Sequence, residues 1–184
     1  MILEQPLLVY ESILIMAFTI ILLFIYRVFV FNKKFYGNLY ILPSIIVFGP
    51  ESHWKNKFVE KLSKTKVLQH PSESLNLSYN YHNGKKFQII SVSNIPDMID
   101  RFKKILYLVY FFDPQSNKIN QEIEDLKRFE SIKPDIKHII IIPQKAEGTT
   151  RIDTETENIQ KISLSNEEDI EEVRDSLLSD IIFS

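Results

Sequence analysis

Ser44-Ile45-Ile46-Val47-Phe48-Gly49-Pro50-Glu51-Ser52-His53-Trp54-Lys55-Asn56-Lys57-Phe58 is the stretch that decides the fold. Ile45–Phe48 is wholly apolar, as a strand buried on both faces must be. Gly49 follows, then a polar loop, and a helical pattern opens at Lys55. On the phosphate-loop template G-x-x-x-x-G-K-[ST], Gly49 and Lys55 match, with Ser52 inside the loop. Trp54 stands where the second glycine belongs, and Asn56 where the hydroxyl residue belongs. Such a loop points backbone N–H groups at phosphate oxygens, and its lysine reaches the terminal phosphates. The second glycine admits that close approach because it has no Cβ. An indole there takes phosphate space, and Asn56 offers Mg²⁺ an amide oxygen instead of a hydroxyl. The stretch therefore predicts a phosphate-loop architecture with a damaged or absent nucleotide site. A chance Gly and Lys on an ordinary strand–helix turn is the competing reading.

The 184 residues suffice for one domain and an extra element. A formal net charge of −2 gives no global signal for nucleic acid, and no direct nucleic-acid partner is expected. The absence of cysteine excludes a disulfide framework and thiolate metal sites. His53, His70, His82 and His138 show no ligand spacing, so no metal site is expected.

Ser12–Tyr26 is uncharged and holds ten Ile, Leu and Phe residues between Glu11 and Arg27. With its apolar flanks, Leu7–Phe31, it is long enough as a helix for a ~30 Å hydrocarbon core. Those ten side chains favour insertion by roughly 3–6 kcal/mol. A cleaved signal peptide would need a basic start and a small-residue cleavage site. The chain instead begins Met1-Ile2-Leu3-Glu4-Gln5-Pro6 and shows no Ala-x-Ala. A core helix of a soluble domain would carry a polar face, which this span lacks. Arg27, Lys33 and Lys34 follow it and no basic side chain precedes it, which places the rest of the chain in the cytosol. The expected division is a short tail over 1–6, a transmembrane helix over 7–31, a linker over 32–43 and a cytosolic domain over 44–184. Asn76-Leu77-Ser78 is a glycosylation sequon that this orientation leaves unmodified.

Within the domain, Lys57–Lys66 reads as the first helix, with Phe58 and Leu62 inward. Leu75, Leu77, Tyr79 and Tyr81 alternate with polar residues. His82-Asn83-Gly84-Lys85 turns the chain back into Phe87, Ile89 and Ile90, a strong hairpin signal. Asp97–Lys104 reads as a short helix, Ile105–Phe112 as an apolar strand, Asn117–Ser131 as a helix and His138–Ile142 as a strand. Tyr107, Tyr110, Phe111 and Phe112 read as sheet core. Gly148–Asn158 is polar and aperiodic, and Ile159–Leu164 reads as a last strand. Ser165 with Glu168 forms a capping-box pattern ahead of a helix striped by Ile170, Val173, Leu177 and Ile181. The acidic run Glu167–Glu172 reads as a solvated helix face. The fold class is α/β: a mostly parallel sheet with helices on both faces and one antiparallel edge hairpin, the strand order of small GTPases.

With that order behind one N-terminal span, the chain resembles the beta subunit of the signal recognition particle receptor. The resemblance implies a small-GTPase-like phosphate-loop domain and a single-pass endoplasmic-reticulum anchor with the domain cytosolic and the N-terminal tail lumenal. It also implies a partner, the receptor's alpha subunit, held through that subunit's N-terminal longin-like domain. The family's motifs map as follows. The phosphate loop keeps Gly49 and Lys55 and departs at Trp54 and Asn56. At the metal-binding D-x-P-G turn stands Ser91-Val92-Ser93-Asn94, with no aspartate and no glycine. At the base-reading N-K-x-D stands Gln144-Lys145-Ala146-Glu147, where Lys145 is kept and Gln144 and Glu147 are conservative changes. Gly49, Ser52, Trp54, Lys55, Asn56, Gln144, Lys145 and Glu147 thus make up a degenerate nucleotide site. These departures remove the metal ligand and the tight phosphate approach on which phosphoryl transfer depends. Neither GTP hydrolysis nor bound Mg²⁺ is expected, no residue is assigned a catalytic role, and GTP binding stays open. The segment between Glu147 and Ile159 is short for the family, so one helix there is in question. A working GTP switch with divergent contacts and an unrelated membrane-tethered adaptor are the alternatives.

Overall fold

The computed structural model describes residues 4–36, 39–65, 67–69, 75–94, 99–143 and 159–181. The chain divides into two compact units, Met1–Leu39 and Tyr40–Ser184.

The first unit is one helix, α1, Glu4–Tyr36, which runs beyond the apolar span at both ends. It has no glycine, and its one proline, Pro6, falls in the first turn where no helical hydrogen bond is lost. Within it, Ser12–Val30 is long and apolar enough to cross a membrane by length and composition, with mean hydropathy 2.7. Its large apolar side chains, from Ile13 to Val30, are exposed. The hydroxyl of Thr19 donates to the Ile15 carbonyl at 2.8 Å, so this polar group is satisfied inside the helix.

The second unit is built on β1, Ser44–Phe48, every residue of which is buried. It pairs in parallel with β4 (Lys85–Val92) on one side and β5 (Ile105–Phe111) on the other. Beyond β5 lie β6 (His138–Pro143) and β7 (Ile159–Leu164), both parallel. Beyond β4 lies antiparallel β3 (Leu75–His82), and at the rim the two-residue β2 (Leu68–Gln69). The sheet order is β2-β3-β4-β1-β5-β6-β7. Asn83 and Gly84 turn the β3–β4 hairpin with φ of 50° and 75°, the positive values a tight two-residue turn requires.

Alternate residues of the buried strands face opposite layers. One layer holds Ile45, Val47, Phe87, Ile89, Val109 and Ile141 against α2 (His53–Leu62) and α4 (Glu167–Ser179). On the other layer Phe48 and Tyr110 meet Phe129 of α3 (Ile119–Ser131) at ring distances of 5.1 and 5.5 Å. Tyr107, Tyr110, Phe111 and Phe112 are all core residues.

Four expectations are corrected. The first helix starts at His53 and ends at Leu62, because the Ser52 hydroxyl caps it by accepting from the Lys55 N–H at 3.1 Å. The hairpin is not the outermost element, since β2 covers its free edge; two residues carry no period that a sequence could show. The capping box at α4 is formed by Asn166 and Asp169, one residue later than Ser165 and Glu168. The short Asp169 carboxylate reaches the N–H groups of both Ser165 and Asn166, which also holds its pKa below the usual range. The acidic run is the solvated face expected, with Glu167, Glu168, Glu171 and Glu172 all exposed, and two of them, Glu167 and Glu171, also pair with Lys57 and Lys61 of α2. Over 97–104 the described residues, 99–104, form only a 3-10 turn at Ile99–Arg101 in place of the expected helix.

Candidate functional site

The loop from Gly49 to Ser52 joins β1 to α2, and its conformation follows from two contacts. Gly49 has φ +119°, and a Cβ there would stand 2.2 Å from the Phe111 carbonyl oxygen. The close neighbour that demands glycine at this position is thus the backbone of β5. Ser52 then starts the helix early, which puts Trp54 and Lys55 in its first turn. Trp54 is half-buried against the α2 side of the core, its ring edge-on to His53.

Lys55 is fully buried. Its Nζ donates to the Gly49 carbonyl at 2.8 Å, to Glu51 Oε1 at 3.0 Å and to the Val92 carbonyl at 3.2 Å. An ammonium has three hydrogens, so its donor capacity is filled by the chain itself. Burial lowers the Lys55 pKa, and the hydrogen bond and charge of Glu51 oppose that shift. Glu51, half-exposed, also accepts from the Ser93 hydroxyl at 3.2 Å. The β1–α2 loop and the segment after β4 are therefore clasped by two contacts, Lys55 to Val92 and Glu51 to Ser93.

Beside this clasp opens a cleft of about 880 Å³ between α2 and the β3–β4 side of the sheet. Glu51, Asn56, Asn76, Ser91 and Ser93 line it. The Ser91 hydroxyl is buried and has no hydrogen-bond partner among the described residues.

Of the residues predicted for a nucleotide site, Gly49, Ser52, Trp54, Lys55 and Asn56 come together on one turn. Gln144, Lys145 and Glu147, and the segment between Glu147 and Ile159, lie outside the described residues. The set present does not suit a magnesium-bound polyphosphate. The lysine is saturated by internal acceptors, the Ser52 oxygen takes the Lys55 N–H, and at Ser91 a neutral hydroxyl replaces a carboxylate. Among the described residues no three His, Cys, Asp or Glu side chains gather as a metal site requires. Glu51 is the functional residue that sequence reasoning missed. Glu51 sits in the loop ahead of the Ser52 cap, outside α2, so the helical i, i+4 pairing rule gave no signal for it.

No family model matches the chain, and no curated protein matches it. Among solved structures, the chain is similar to nucleolar GTP-binding protein 1 from Plasmodium falciparum at 17% identity. That likeness covers 75% of this chain and 87% of the other, with a TM-score of 0.44. The fold is read from the sheet order: a mixed, mostly parallel α/β sheet in which β3 runs antiparallel to its neighbours β2 and β4.

Proposed function

We propose that this chain is a membrane-anchored binding module whose GTPase-like domain holds a partner protein instead of turning over nucleotide. The observation that carries this reading is the saturation of Lys55 by Gly49, Glu51 and Val92. A lysine held by its own loop is not positioned to meet a terminal phosphate. The apolar span Ser12–Val30 supports a membrane anchor, and the basic residues after it support a cytosolic domain. In the finer form of this proposal the chain acts like the signal recognition particle receptor beta subunit. It sits in the endoplasmic-reticulum membrane and docks the alpha subunit's longin-like domain for co-translational targeting.

The test uses the full chain in detergent. Equilibrium binding of labelled GTP is expected to be absent at micromolar concentration, and a pull-down is expected to recover the receptor alpha subunit. GTP binding tighter than micromolar and lost in Lys55→Ala would establish a working switch instead. Repeated failure to recover the alpha subunit would remove the receptor assignment.

A further inference from the structure

We infer that Glu51 is a built-in substitute for a phosphate group, an internal anion seated on Lys55 that closes a latent oxyanion site. This rests on the binding-module reading above and names the side chain that enforces it. Three observations carry it. Among the described residues the carboxylate is the only charged acceptor on the buried ammonium; the other two are the Gly49 and Val92 carbonyls. It comes from the loop itself, three residues ahead of Trp54, and reaches Lys55 Nζ from its own solvent-exposed side. It is half-exposed and lines the adjoining cleft, so its removal vacates the place it takes on Lys55 on the side of that cleft, whose lining also carries Glu60 and Lys64. The Ser91 hydroxyl, buried and without a hydrogen-bond partner among the described residues, belongs to the lining of the same cleft.

Charge decides the wild-type state. An external phosphate would have to displace a tethered carboxylate whose effective concentration at Lys55 is high, while meeting that same negative charge at close range. With Glu51 neutralised, both penalties vanish and the lysine regains one unfilled donor. The ligand class is a phosphate-type oxyanion, and the probe is sodium tripolyphosphate.

The experiment compares the full-length chain, Glu51→Ala and the Glu51→Ala/Lys55→Met double variant in detergent. Each is titrated with tripolyphosphate and followed by melting temperature and by the fluorescence of Trp54, the only tryptophan. The expected result is no response in the wild type, a rise of roughly 5 °C near saturation in Glu51→Ala, and loss of that rise in the double variant. A Lys55-dependent response in the wild type overturns the proposal. So does a folded Glu51→Ala variant that gains nothing, or a gain that persists without Lys55. Should Glu51→Ala fail to fold, Glu51→Gln, which keeps the length and removes the charge, decides by the same criteria. If neither folds, the carboxylate is a structural strut and the proposal falls. A variant that gains nothing beside a wild type that ignores GTP defeats this inference alone. A wild type that binds GTP defeats the function proposed above.

Discussion

Among the described residues, Lys55 and Glu122 are the two buried charges whose surroundings make opposite demands. Replacing Lys55 by Ala leaves the Gly49 and Val92 carbonyls without their donor and Glu51 without its cation. A loss of about 3 kcal/mol is expected in urea unfolding of the detergent-solubilised chain. Glu122 is buried under β5, where its Oε2 accepts from the Tyr110 hydroxyl at 3.0 Å. Burial raises its pKa above the usual 4.5, helped by Asp113 and Asp125 and opposed by the Tyr110 hydroxyl and the Asp113 backbone. The folded state thus binds the proton more tightly than the unfolded chain does. Stability that is complete below pH 4.5 is lost as pH rises through that value towards the folded pKa. Glu122→Gln should match the wild type near pH 4 and melt higher than it at pH 7. Melting curves across that range check this; parallel curves would refute it. Neither burial was legible beforehand. Glu122 lies on a helix with three other acids, Glu124, Asp125 and Glu130, and nothing in its local pattern sets it apart from them, and Lys55 reads as an ordinary first-turn lysine until Ser52 shifts the helix start.

Among the elements, β1 and the hairpin were legible because their signals are local. An unbroken apolar run and an Asn-Gly turn need no tertiary context. Boundaries set by caps were less so. Ser165/Glu168 and Asn166/Asp169 offer the same spacing one residue apart, and both keep Ile170, Val173 and Leu177 facing the core. The choice falls to whichever carboxylate reaches the backbone, and Asp169 does. Asn166→Ala should therefore cost about 1 kcal/mol, while Ser165→Ala, which leaves both hydrogen bonds of the Asn166–Asp169 box in place, should cost less. Thermal unfolding of the two variants side by side makes the comparison; equal losses would contradict the observed register. The rim strand β2 could not be foreseen, because Leu68 and Gln69 are specified by the neighbouring β3 and not by their own pattern.

The whole molecule pairs a long apolar helix with a sheet domain, and the two lend themselves to different measurements. If Ser12–Val30 spans a bilayer, alkaline carbonate should leave the chain in the membrane pellet, and replacing Ile20 and Leu23 by Asp should release it to the supernatant. Each buried aspartate opposes insertion by roughly 3 kcal/mol at a helix centre, which offsets much of the span's hydrophobic gain. Extraction of the unmodified chain by carbonate would contradict anchoring. The sequon at Asn76 lies on β3 beside the cleft; a glycan found there would reverse the orientation. What the sequence carried least well was the relation between the two loops at the sheet's end, because Glu51 and Ser93 are 42 residues apart.

That relation has a consequence for timing. In a nucleotide-driven switch, two loops separate or close as a phosphate leaves or arrives, and the cycle sets how long a complex lasts. Here the β1–α2 loop and the end of β4 are fastened by the chain's own lysine, carboxylate and serine. A partner held by such a domain would be released by dilution, competition or degradation, on a schedule that the domain's own chemistry does not keep.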